Sequence, residues 1–293
     1  MMDVRSDNMF LFQKIEELMM THSDARHAVG EFVLQEKENL YKYTTSEIAE
    51  KTYTSKATVV RFAKTLGFNG WKDFIKAFIA EMKYQEAHQT DIDANYPFHE
   101  TSSTKEIIEG LKQVQIESIQ DTSDLLDIEE VRHAVDYIAN ARRIVIFGLS
   151  PNSYLAEVFR RKMMGIDKLV EVASIGEMGM TARTMTSHDC AIIISYSGNN
   201  RNDPPLSLVD SFIENKVPLI GITSDSENYL RKNAACVLTM SSKERLYTKI
   251  SNFATEESIQ YILNILFSCF YARNYRENNS FKLRSSRVLE NKR

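Results

Sequence analysis

Two hydrophobic periods follow one another along this chain. From residue 8 to about 84, apolar residues recur at helical spacing. Phe10, Leu11, Ile15, Leu18 and Met19 form one stripe, and Ala28, Phe32 and Val33 belong to another. Such stripes are the core faces of amphipathic helices. The segment 86–103 (EAHQTDIDANYPFHETSS) is polar, contains Pro97 and has no apolar period, which predicts a linker. Residues 104–140 read as helix again, with Ile107, Leu111, Val114 and Ile119 on one face. Then the period changes. Short apolar runs stand at 143–148, 168–172, 190–195, 218–223 and 235–240, and each gap between them is long enough for a helix. Near-continuous apolar strands alternating with helices predict a parallel sheet covered on both faces. The expected fold is α plus α/β. An all-helical domain at 1–85 and a linker at 86–103 precede a doubly wound five-stranded sheet of flavodoxin-like order at 104–273. A helix at 255–272 closes that domain, and a basic tail at 274–293, expected to be solvated and mobile, ends the chain.

Within the helical half, residues 44–71 (TTSEIAEKTYTSKATVVRFAKTLGFNGW) read as a helix, a tight turn at 52–54 and a second helix. Thr44 or Thr45 can cap the first helix, and Glu47 is spaced as the capping partner of Thr44. Ser55 is a good N-cap for the second. Val59, Phe62, Ala63 and Leu66 form the buried stripe of that helix, and Gly67 is placed to end it. Its opposite side is read as Lys56, Thr58, Arg61 and Lys64. Trp71, Phe74, Ile75 and Phe78 begin a further amphipathic helix. This layout can put a helix into the major groove of double-stranded DNA. The candidate DNA contacts are Ser55, Lys56, Thr58, Arg61, Lys64 and Lys72. Arg61 can reach a guanine bidentately and Thr58 a thymine methyl. Lys64, Lys72 and Lys76 suit phosphate, giving affinity without sequence information.

Charge sharpens this reading. The chain carries a net −4, which argues against a nucleic-acid coat protein but not against a local basic patch. Residues 51–78 hold six Lys/Arg against Asp73, a net of +5. Cys190, Cys236 and Cys269 lie far apart, with no metal-binding spacing, and the first two open apolar runs as small buried hydrophobes would. That usage suits a reducing cytoplasm. The N-terminus lacks the apolar stretch of a signal peptide, and the apolar run near 261–272 is too short to span a bilayer. A cytoplasmic protein without cofactor, metal or membrane attachment is expected.

In a doubly wound sheet, ligands bind outside the carboxyl ends of the strands where the strand order switches. With flavodoxin-like order, that point lies between the first and third strands. Both end in polar, glycine-containing loops, Gly148-Leu149-Ser150-Pro151-Asn152-Ser153 and Ser195-Tyr196-Ser197-Gly198-Asn199-Asn200. Hydroxyls, backbone N–H groups and helix starts gathered there suit a phosphate. The candidate effector residues are Ser150, Asn152, Ser153, Ser195, Ser197, Gly198, Asn199 and Asn200. Asp203, followed by Pro204-Pro205, reads as the N-cap of the next helix. An isomerase would need a positioned general base. Glu177, His188, Glu256 and Glu257 are the candidates, and none is flanked by a second acid/base group.

The stretch SEIAEKTYTSKATVVRFAKTLGFNGWKDF resembles the N-terminal domain of the RpiR family of bacterial transcription regulators, with its ATVxRFxxxLGFxGYxxF signature. Ala57, Thr58, Val59, Arg61, Phe62, Leu66, Gly67, Phe68, Gly70 and Phe74 match it, and Trp71 replaces the usual tyrosine. IIISYSGNN resembles the serine-rich loop of the sugar isomerase (SIS) domain, which those regulators use to sense phosphosugars. The resemblance assigns phosphate to Ser195, Ser197 and Gly198. Asn200 stands where the family usually has Thr or Ser. The first loop departs from GxGxS, with Ser150 at the second glycine and Asn152 at the serine. The resemblance implies a non-catalytic regulator of sugar-metabolism genes, with operator DNA and a phosphorylated sugar as partners. Reading a palindromic site implies a homodimer or homotetramer. A phosphosugar isomerase with an appended helical domain, or an adaptor that uses the SIS fold only to dimerise, are the alternatives.

Overall fold

The computed structural model describes residues 11–21, 24–87, 92–225, 227–241, 243–245 and 248–290. Phe10 of the first expected stripe lies outside them. The chain divides into two compact units. One runs to Gly110 and takes in Lys243–Ser251, and the other comprises Leu111–Ser242 and Asn252 onward.

The first unit contains α1 (Leu11–Thr21), α2 (Ala25–Gln35), a 3-10 turn (Lys37–Lys42), α3 (Thr45–Lys51), α4 (Lys56–Thr65), α5 (Trp71–Ala87) and the start of α6 (Thr104–Leu125). The helical stripes converge on one core. Leu11, Ile15, Val29, Val33, Ile48, Val59, Phe62, Phe74 and Phe78 are all buried there. Aromatic contacts knit it together, with Phe62–Phe74 edge-on at 5.7 Å between ring centroids, Phe12–Phe78 edge-on at 4.8 Å and Trp71–Phe74 tilted at 4.8 Å. Glu81 of α5 is buried and closes the start of α1, where its carboxyl accepts from the Leu11 N–H at 2.6 Å and the Phe12 N–H at 3.2 Å. It thereby satisfies two of the donors a helix start leaves open.

The segment expected as a linker packs instead. Asn95 is buried, and its side chain accepts from the Arg245 N–H at 2.7 Å. Its amide donates to Asp93 and to the Lys243 carbonyl, and its backbone carbonyl accepts from the Ile250 N–H at 2.9 Å. The Thr248 hydroxyl donates to Glu16 of α1 at 2.8 Å. A polar side chain can be buried once its hydrogen-bonding groups are met, and here a segment about 150 residues away meets them.

The second unit continues through α6 and then α7 (Ile128–Asn140). The single helix expected over 104–140 is broken, because the Asp127 side chain accepts from the Glu129 and Glu130 N–H groups and starts α7 afresh. Next come β1 (Arg143–Phe147), α8 (Asn152–Met164), β2 (Val170–Val172), α9 (Met178–Arg183), β3 (Asp189–Ile194), α10 (Val209–Glu214), β4 (Leu219–Ser224), α11 (Tyr229–Asn233), β5 (Cys236–Met240), α12 (Phe253–Arg273) and α13 (Tyr275–Glu290). All pairings are parallel and the order is β2-β1-β3-β4-β5, the expected flavodoxin-like sheet. Alternation sorts the side chains. Ile144, Ile146, Ile192, Ile194, Ile220 and Ile222 pack with α7, α8 and α12 on one face. Val145, Phe147, Ala191, Ile193 and Leu219 pack with α9, α10 and α11 on the other. Cys190 and Cys236 are buried among these residues, and burial pushes the Cys236 thiol up to about 12.

Two further expectations change. The basic tail is helical as α13, where Tyr275 meets Tyr271 edge-on at 5.3 Å and buried Asn278 donates to the Tyr271 carbonyl. Asp203 does not cap with its side chain, which accepts from Asn200 at 3.1 Å. The turn that follows is a short 3-10 helix at Leu206–Leu208.

Candidate functional site

The reading unit is built by two caps. The Thr44 hydroxyl accepts from the Glu47 N–H while the Glu47 carboxylate accepts from the Thr44 N–H at 2.7 Å, a complete capping box. Those bonds hold the Glu47 carboxyl below its ordinary range. The Ser55 hydroxyl accepts from the Thr58 N–H at 3.1 Å and starts α4. Val59, Phe62, Ala63 and Leu66 are buried as expected, and Gly67 ends the helix at φ +94°. Ser55, Lys56, Arg61, Lys64 and Lys72 are exposed.

Thr58 corrects the expected face. It is only 9% exposed, because it lies one helical turn before Phe62 and shares that residue's inward side. Its hydroxyl bridges Ser55 Oγ at 2.9 Å and accepts from Arg61 Nη2 at 3.4 Å. The cap, a buried hydroxyl and the exposed guanidinium thus form one chain along the first turns of α4. Thr58 positions Arg61 instead of presenting its own methyl group.

In the second unit, the two candidate loops leave adjacent strands at the switch point, since β1 pairs with both β2 and β3. They are tied together where Asn152 Nδ2, at the first turn of α8, donates to the Ile194 carbonyl at 3.2 Å. Ser195 is half-buried, and its hydroxyl accepts from the Gly198 N–H at 3.3 Å. Gly198 has φ +62°, and a Cβ there would lie 2.4 Å from the Asn228 side chain, so only glycine fits this turn. Asn199 is engaged, accepting from the Tyr229 N–H at 3.1 Å, and the Asn200 amide donates to Asp203. Among the described residues, the hydroxyls of Ser150, Ser153 and Ser197 have no hydrogen-bond partner in the protein.

Sequence reasoning missed the residues that brace the second loop. The Thr223 hydroxyl donates to the Tyr196 carbonyl at 3.2 Å, and buried Asn228 donates to Thr223 at 3.0 Å. Asn228 also caps α11, and an asparagine just before an apolar pair was the available signal. Of the candidate bases, Glu177 and His188 are exposed, and Glu257 accepts from Gln115 at 2.9 Å. Among the described residues, no group of three His, Cys, Asp or Glu could hold a metal. No helix among them is long and apolar enough to cross a membrane.

The fold and these sites define a protein that joins a helix-turn-helix unit to a doubly wound unit with two serine-containing loops at its switch point. Residues 9–85 match the helix-turn-helix domain of the rpiR family, and residues 137–256 match the SIS domain. The chain belongs to the RpiR family of helix-turn-helix transcriptional regulators. It is similar to an HTH-type transcriptional regulator of Clostridium perfringens, at 23% identity over 97% of this chain and 100% of that one. It is also similar to the HTH-type transcriptional regulator HexR of Pseudomonas aeruginosa, at 23% identity over 78% of each. Among solved structures, it shares the fold of the Vibrio vulnificus NanR protein complexed with ManNAc-6P. There the TM-score is 0.59 at 19% identity, covering 97% of this chain and 99% of that one.

Proposed function

We propose that the crevice between the β1 and β3 loops binds a phosphorylated sugar and that its occupancy sets the affinity of the helix-turn-helix unit for operator DNA. The observation that carries this reading is the pair of loops at the switch point, joined through Asn152 and Ile194, with three hydroxyls that no group among the described residues uses. Hydroxyls and backbone N–H groups at the start of a helix are the chemistry that holds a phosphate. The NanR complex with ManNAc-6P supports the same ligand class for this fold. Asn152 replaces a hydroxyl, but its amide is already committed to the loop, so Ser153 and Ser150 are left as the donors on the first strand's side. On this reading the sugar is bound and not converted, as the similarity to proteins named transcriptional regulators supports. We assign the protein to the cytoplasm and, because an operator read by two such helices has two-fold symmetry, to a homodimer or homotetramer.

The test is direct. The purified protein selects fragments from its source genome at a stated salt concentration, and sugar phosphates are then titrated against the selected site. Coupling of this kind is worth about 1–3 kcal/mol, or roughly 5–150-fold in operator affinity. A sugar phosphate that shifts both melting temperature and operator affinity supports the sensor. Turnover of the sugar phosphate would identify an isomerase instead. A site whose affinity no sugar phosphate changes would leave the crevice without the proposed role.

A further inference from the structure

The turn of the helix-turn-helix carries a side chain that its own fold does not use. Tyr53 is 97% exposed, and among the described residues its ring meets no other group. Its backbone sits in the left-handed region at φ 53°. That conformation is unfavourable for a residue with a Cβ, and glycine or asparagine is the usual occupant of such a turn. A large ring held in water adds nothing to burial. Tyr53 is therefore unfavourable for the backbone, with no gain from burial to offset it.

The turn around it is nevertheless rigid. Thr52 is buried, with its hydroxyl donating to the Ile48 carbonyl at 2.7 Å and pairing with the Thr54 hydroxyl at 2.9 Å. The Thr54 N–H donates to the Ala49 carbonyl at 2.8 Å, and the Tyr53 N–H to the Glu50 carbonyl at 3.2 Å. The phenol is thus presented from a fixed base, two residues before the Ser55 cap of α4. Lys51 and Lys56, both exposed, flank it in sequence. It stands just before the exposed, basic side of α4, and the polyanion that such a side would meet on the DNA-binding reading is a duplex.

We propose that Tyr53 is a DNA-contact residue that donates its phenolic O–H to a phosphate oxygen beside the groove occupied by α4, fixing the register of the helix without reading a base. Tyrosine is among the side chains that make such positioning contacts. The proposal rests on the DNA-binding reading of this unit, and it gives two effects of opposite sign. In the full-length protein, Tyr53→Gly relieves the backbone and should raise Tm by roughly 2–5 °C. The same variant should bind the selected operator about 5–20-fold more weakly, and a random duplex of equal length more weakly by a similar factor, since phosphate contacts carry no sequence information. Tyr53→Phe should lose affinity by a similar factor. The salt dependence of binding should keep its slope in both variants, because no charge is removed.

Operator affinity unchanged in either variant would overturn the proposal. So would a fall in Tm for Tyr53→Gly, which would make the ring structural, or a loss confined to the operator, which would make it a base reader. Failure of the unsubstituted protein to select any duplex would instead refute the DNA-binding reading itself.

Discussion

Glu81 makes the helical unit sensitive to pH in a calculable way. Burial raises its carboxyl from an ordinary 4.5 to about 7, against the opposing pull of the Leu11 and Phe12 N–H groups. The folded state therefore holds its proton more tightly than the unfolded state does. The contribution of this group to stability is fully present below pH 4.5 and is lost as pH rises through about 7. The difference between those two values corresponds to roughly 3 kcal/mol at 1.36 kcal/mol for each pH unit. For a domain near 100 residues this is a fall in Tm of roughly 10–20 °C. Glu81→Gln cannot ionise, so its unfolding should lack this step between pH 4.5 and 8, whatever its absolute stability. Thermal or urea unfolding of both proteins, followed by Trp71 fluorescence, measures the two slopes. Trp71 is the sole tryptophan and reports from the α4–α5 core. The same pH dependence in both proteins would refute the claim that desolvation outweighs the two hydrogen bonds at this carboxyl.

Three other substitutions test the sites. Arg61→Ala should lose about 1–3 kcal/mol of discrimination at one base pair, seen as relaxed specificity in a binding selection. Its Tm should change by no more than about 0.5 kcal/mol allows, because the side chain is exposed. Thr58→Val keeps the buried volume but removes the hydroxyl shared by Ser55 and Arg61. Stability should fall by about 0.5–1.5 kcal/mol and operator affinity by less than in Arg61→Ala. Unchanged affinity would mean that Thr58 does not position the guanidinium. Ser197→Ala should raise the midpoint of the effective sugar phosphate by roughly 10–100-fold, with operator affinity of the free protein untouched. An unmoved midpoint in a melting-temperature titration would place the phosphate elsewhere.

What could be read in advance, and what could not, divides by how local the cause is. The five strands announce themselves because a strand buried on both faces is apolar along most of its length, as β3 is from Cys190 to Ile194 and β4 from Leu219 to Ile222. The start and core face of α4 follow from Ser55 and the spacing of Val59, Phe62, Ala63 and Leu66, all within three turns of one helix. Threonine satisfies either environment, since its methyl tolerates burial and its hydroxyl tolerates water. Its residue type therefore misleads at Thr58, where the spacing to Phe62 decides for burial and Ser55 and Arg61 engage the hydroxyl. The packing of Asn95, within the segment expected as a linker, is hidden for a longer-range reason. Hydropathy scores an asparagine as solvated, yet burial is allowed once its amide and carbonyl are matched by Asp93, Lys243 and Arg245.

The crevice joins both kinds of cause. Its position follows from strand order alone, and its glycine from a loop short enough to read. The braces Thr223 and Asn228 arrive from β4 and the start of α11, and no spacing within the second loop contains them. The first loop departs from the usual motif, and there Asn152 ties it to β3 by donating to the Ile194 carbonyl at 3.2 Å. Architecture and ligand chemistry are thus carried by different side chains. Asn152, Thr223 and Asn228 hold the loops, while Ser150, Ser153 and Ser197 are the side chains proposed to meet the phosphate. Replacing a member of the first set should lower stability and ligand binding together, whereas replacing a member of the second should move ligand binding alone.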